Sequence, residues 1–237
     1  WSRGLGDVYK RQHRDLQGIF LLITHKPAIS ISLFSILFLP GVILHELSHW
    51  VSARLLRVRT GKISVLPKVL PKGKVQLGYV EVASSDILRD SLIGAAPLVT
   101  GLGVVSLIAI FRFHLPVITA TAITPATFLP ALQSITNSHD SWVWLYLLFA
   151  ISTTMMPSES DRHAWLPLIL VFILILGTAI FFGAGNWLNS NLSQPYESMT
   201  GIISFLFLIC NLLHICIILP LSVLRIALSK LTGYVVR

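Results

Sequence analysis

His45, Glu46 and His49 lie within one and a half turns of chain and form the sequence His45-Glu46-Leu47-Ser48-His49. Histidines four apart share one face of a helix, so their imidazoles can converge on a single ion. Glu46 stands beside the first histidine. From there it can reach a water on that ion without ligating the ion itself. Its role would be general base on the water, then acid on a leaving amine. This is the spacing of a metalloprotease helix. Imidazole and carboxylate ligands with an open fourth position suit zinc. Glu occurs only four times in the chain. The motif also follows a long apolar run, where an ionisable cluster is costly and reads as functional. A helix end with solvated polar side chains is the plainer alternative. It accounts less well for three ionisable groups clustered so closely.

The elements that must position this motif are apolar spans. Of the 237 residues 54% are hydrophobic and 12% charged, and the mean hydropathy is +0.77. Soluble domains carry about a quarter charged residues. The expected fold is therefore an all-α polytopic membrane protein with about five transmembrane helices. A small β-hairpin is expected between the first and second.

Stretches of about 20 apolar residues put the spans at Pro27–Leu44 (continuing as helix to Leu56), Leu92–Phe111, the short Trp142–Met156, Ala164–Ala184 and Thr200–Leu219. Pro40 and Gly41 mark a place where the first can kink. Lys62–Val65 and Lys74–Val82 read as strands, with a turn at Pro71-Lys72-Gly73. From Leu221 the chain reads as an amphipathic helix lying along the interface. Trp1–Gln12, WSRGLGDVYKRQ, resembles translated sequencing-adaptor read-through and is assigned no part in the fold. Residues 13–237 then form one membrane-embedded domain, with a core at 27–184 and a C-terminal span and interfacial helix at 199–237.

Charge gives the orientation. The net charge is +8, and it is concentrated beside the spans. This argues for membrane topology and against nucleic acid as a partner. Arg54 to Arg89 holds eight Lys and Arg, Phe113 to Asp161 none, and His163 to Leu224 none. The basic loop, the loop at Arg162 and the C-terminus are thus expected on the cytosolic side. Cys210 and Cys216, six apart in an apolar run, read as packing residues.

The stretch LPGVILHELSHWVSARLLRVR, the patch Gly94-Ala95-Ala96-Pro97-Leu98-Val99-Thr100-Gly101 and the segment Thr153-Thr154-Met155-Met156-Pro157-Ser158-Glu159-Ser160-Asp161 together resemble the site-2 protease family of intramembrane metalloproteases. The resemblance covers about Leu39 to Arg162. It implies zinc as cofactor, His45 and His49 as ligands, Glu46 as catalytic residue and Asp161 as third ligand. The third segment departs from the family pattern. Thr154 stands near the usual Asn, the Pro-to-Asp spacing is one residue shorter, and Arg162 replaces the usual Gly. Glu159 and His163 therefore stay open as rivals to Asp161. The charge rule puts the end of the motif helix and the end of the third span on one side of the membrane, as a shared ligand set requires.

The resemblance also implies hydrolysis of peptide bonds within or near transmembrane segments of other membrane proteins. The bilayer and a membrane-protein substrate would then be the partners. The expected setting is the plasma membrane of a prokaryote, with the site near the cytosolic face. The alternative is a metal-binding membrane protein without protease activity, such as a transporter or a degenerate scaffold. An intact Glu46 argues against it, because a pure metal site needs no base there.

Overall fold

The computed structural model describes residues 2–69, 75–113, 130, 133, 135, 139–158, 160–163 and 165–233. Helix α1 (Ser2–Thr24) leads into α2 (Pro27–Leu55). Pro27 opens α2, where a missing N–H costs nothing. The helix runs through Pro40 and Gly41 and carries the whole His45–His49 motif. It ends in a left-handed turn: Arg57 has φ 58°, and the Val58 N–H donates to the Ala53 carbonyl at 2.8 Å.

A small β region follows, built from β1 (Thr60–Ser64), β2 (Lys68–Val69), β3 (Val75–Gln76) and β4 (Tyr79–Val82). β1 pairs antiparallel with β4, and β2 with β3, so the strands nest as one interrupted hairpin. The sequence reading made Lys74–Val82 a single strand. In the structure it is broken at Leu77-Gly78, because the chain there is pressed onto α2. The expected turn at Pro71–Gly73 lies outside the described residues.

Helix α3 (Ile87–Phe111) is capped by Asp86, whose carboxylate accepts from the Arg89 N–H at 3.0 Å. Helix α4 (Ser141–Thr154) has 14 residues. That is about 21 Å of rise against a hydrocarbon core of about 30 Å. Helices α5 (Trp165–Ala179) and α6 (Gly185–Thr232) are joined by a π-helical turn, Ile180–Ala184.

Among the described residues, three helical segments are long and apolar enough to cross a membrane: Pro27–Leu55, Ile87–Phe111 and Trp165–Thr232. The count of five is corrected accordingly. The expected fourth and fifth spans belong to one 68-residue helical run, bent where Gly183 adopts φ 94°. The polar stretch at 186–199 stays helical instead of forming a link. The separate interfacial helix from Leu221 is absent too, because α6 passes straight through Pro220 to Thr232. Proline inside an apolar helix is tolerated when neighbouring groups take up the freed bond.

Helix α2 is the hub, in contact with α1, α3, α4, β1 and β4. One core joins Val105, Ile108, Leu148, Ile151, Leu206 and Cys210 from α3, α4 and α6. A second joins Leu16, Phe34, Phe38, Val42 and Phe149 from α1, α2 and α4. α1 has no counterpart in the sequence reading, although Leu16, Ile19 and Leu22 recur at helical spacing and are buried. Cys210 is buried in the first core, as a packing residue should be.

Candidate metal centre

His45 and His49 point from α2 towards α4 and α3. His45 Nδ1 is 2.7 Å from the Thr154 carbonyl oxygen, and His49 Nδ1 is 2.9 Å from that of Ile93. Thr154 closes α4, where a carbonyl has no partner inside its own helix. A carbonyl only accepts, so each Nδ1 must carry the proton and donate it. Both Nε2 atoms are then bare lone pairs. They lie 3.2 Å apart, with the rings at 77°. Two lone pairs at that distance repel unless a cation sits between them. Two nitrogens on a tetrahedral zinc ion lie roughly 3.3 Å apart, given Zn–N of about 2.0–2.1 Å. The pair is therefore already spaced for such an ion, and each ring is oriented by its second nitrogen.

Asp161 comes from the turn after α4. Its Oδ2 accepts from the Ser158 N–H at 2.7 Å. Oδ1 lies 3.4 Å from His49 Nε2, and Oδ2 lies 3.9 Å from His45 Nε2. The ligand atoms of His45, His49 and Asp161 all fall within 4.8 Å of one another, so the group can hold a metal ion. The approach of this turn to α3 depends on Gly94. A Cβ there would collide with the Asp161 carbonyl oxygen. Of the rivals to Asp161, His163 is directed elsewhere: its Nδ1 meets the Ser160 carbonyl at 2.5 Å, and its Nε2 faces Asp90 at 3.8 Å. Glu159 lies outside the described residues.

Glu46 is buried and lines the same cavity as His45, His49 and Asp161. The cavity holds about 890 Å3 and is roofed by the hairpin, from Val75 to Val80. Gly78 passes directly over the motif: a Cβ on it would lie 2.9 Å from Glu46 Cγ, Glu46 Oε1 and Val42 Cγ1. Ser84, Asp90, Ser158, Ser160 and His163 give the cavity a polar side, which admits water, beside an apolar wall at Val42, Leu77 and Ile93.

Two kinds of contributor escape the sequence reading. The anchoring carbonyls of Ile93 and Thr154 are backbone atoms, and no residue type announces them. Gly78 does leave a signal, because an isolated glycine inside a strand pattern marks a close backbone approach. No protein-family model, no curated protein and no solved structure matches the chain.

Proposed function

We propose that the chain is an intramembrane zinc metalloprotease that hydrolyses peptide bonds within or near transmembrane segments of other membrane proteins. The reading rests on one observation above all. Two imidazoles with their Nδ1 protons committed to carbonyls turn bare Nε2 atoms towards Asp161, with Glu46 beside them in a cavity that has a polar side. His45, His49 and Asp161 would hold the zinc ion. When bound, that ion supplies a Lewis acid that lowers the pKa of water at the site and stabilises negative charge on the scissile carbonyl oxygen.

The remaining work falls to this chain. Glu46 takes a proton from the attacking water as its oxygen bonds to the carbonyl carbon. As the carbon–nitrogen bond breaks, Glu46 gives that proton to the departing amine. Thr154 and Ile93 keep the rings in one tautomer throughout. The hairpin above Glu46 offers strand edges to an unwound substrate, whose freed backbone groups need partners in an apolar setting. The Lys and Arg distribution supports a site near the cytosolic face of a cell membrane.

The test is metal content and cleavage of single-span membrane peptides by detergent-purified protein. About one zinc per chain is expected in wild type and in Glu46→Gln, and none in His45→Ala, His49→Ala or Asp161→Ala. Cleavage should vanish in all four variants. A Glu46→Gln chain that still cleaves would sink the assignment of Glu46. A folded wild type without metal would sink the enzyme reading. Metal binding without cleavage of any peptide would leave the non-proteolytic alternative.

A further inference from the structure

The carbonyl that holds His49 is one an uninterrupted helix would not offer. Inside an α-helix the carbonyl of residue i accepts from the N–H of residue i+4. Ile93 lies inside α3, six residues beyond its start at Ile87, so its carbonyl is not spare by virtue of a helix end. Its partner would be residue 97. That residue is Pro97, which has no N–H. The orphaned Ile93 oxygen is the one that lies 2.9 Å from His49 Nδ1. Pro97 is fully buried, so water does not compete for the role at its own position. The neighbouring residue, Gly94, is the one against which the Asp161 carbonyl packs. A single turn of α3 thus seats two of the three ligands, one by a missing hydrogen and one by a missing side chain.

We propose that Pro97 is a positioning residue of the metal centre. By withholding an N–H from the Ile93 carbonyl, it leaves that oxygen to His49. This fixes the Nδ1–H tautomer and aims Nε2 at the position His45 and Asp161 share. An alanine at 97 would restore the helical bond and set the backbone N–H against the imidazole for one acceptor. The inference rests on the reading of this group as a metal site, but its first test does not.

The first measurement is nitrogen NMR of histidine-labelled, metal-free protein in detergent, with the His49 signals identified by their loss in His49→Ala. The wild type should show His49 in one tautomer, protonated at Nδ1. Pro97→Ala and Pro97→Val, the second keeping more of the buried volume, should show a mixture. The second measurement is zinc affinity by competition with a soluble chelator. Affinity should fall about 10- to 100-fold in both variants, the range for loss of an outer partner of a ligating histidine. Their thermal midpoints should hold or rise, because an internal proline is replaced by a residue that completes the helix. Pro40→Ala, which removes the proline inside α2, should change neither reading.

An unchanged His49 tautomer in both variants would overturn the proposal. So would equal losses of affinity and thermal midpoint in both variants, which a pure packing role would give, or an equal effect from Pro40→Ala. If the tautomer shifts while wild type binds no zinc, the hold of Pro97 on His49 stands and the zinc reading falls.

Discussion

The α2–α3–α4 region and the α5–α6 arm both carry long apolar helices and are built in opposite ways. In the first, helices touch through missing atoms. Gly41 faces the Ala150 carbonyl and the Thr154 hydroxyl, where a Cβ would come within 2.5 Å of both, and Gly94 admits Asp161. In the second, α5 buries none of its residues, and Phe181 and Phe182 are 84% and 81% exposed. A Cβ on Gly177 would meet nothing within 4 Å. α6 buries residues along its middle, at Phe205, Leu206, Cys210, His214 and Ile218, and Ser222 and Arg225 meet Asp15 of α1. Hydropathy ranks the arm highest, yet the candidate metal group sits where hydropathy is interrupted. In an apolar solvent, burial of apolar surface no longer drives helices together. Close packing and hydrogen bonds decide which ones do associate.

The most damaging way to test that contrast is to restore a side chain. Gly94→Val should displace the Asp161 turn, lower metal affinity at least tenfold, and cost about 1–3 kcal/mol through overpacking. Gly177→Val, the same change in α5, should stay within about 0.5 kcal/mol and leave metal binding intact. Chelator competition and thermal unfolding of the two variants decide the matter. Equal effects would mean that the two regions do not differ as described.

Gly78 tests the roof instead of the floor. Its Cβ would lie 2.9 Å from Glu46 Oε1, inside the cavity that the proposed substrate would enter. Gly78→Val should abolish most cleavage while zinc content stays near one per chain. A variant that loses zinc as well would show that the hairpin supports the ligands and does not merely overlie them.

Truncation of large side chains should separate the regions more gently. Leu148 is fully buried between α3, α4 and α6, whereas Leu174 on α5 is 70% exposed. Leu148→Ala opens a cavity and should cost about 2 kcal/mol, the low end for such changes. The low end applies because lipid is as apolar as leucine, so the transfer component shrinks and mainly lost packing remains. Leu174→Ala should fall within about 0.5 kcal/mol. Denaturant titration in mixed micelles would reveal the difference.

Legibility in the sequence followed the same divide. His45, Glu46 and His49 were readable because helical spacing alone brings i and i+4 together. Asp161 was reached only through a resemblance, because its approach depends on Gly94 in another helix 67 positions away. The carbonyls of Ile93 and Thr154 have no letter of their own. Pro97 and Gly78 were visible as letters, but what each one leaves room for appears only when a second element arrives. The end of the fourth span at Ala184 falls on the kink between α5 and α6, but the helical course of the chain beyond it was missed. The polar stretch at 186–199 lacks apolar residues but not helix-compatible ones, and hydropathy registers only the first property.

The weakest effect concerns how helices begin. α3, which packs against the His49 imidazole and the Asp161 turn, has a built cap, whereas α6 has no side-chain cap bond at its start. The Asp86 carboxyl is held below its ordinary range, first by the Arg89 N–H that it accepts and also by the Arg89 guanidinium 3.2 Å away. A carboxylate whose pKa is depressed by folding stabilises the fold above the unfolded value of about 3.9. That contribution disappears as pH falls through the lower, folded value. Asp86→Ala should therefore lower the thermal midpoint slightly at neutral pH, and the gap to wild type should close in acid below that range. The side chain is exposed, so added salt should shrink the part due to Arg89 and leave the N–H bond. A gap that persists at low pH would show that Asp86 shapes the α3 start by something other than its charge. In that case the capped start of α3 would no longer distinguish it from α6.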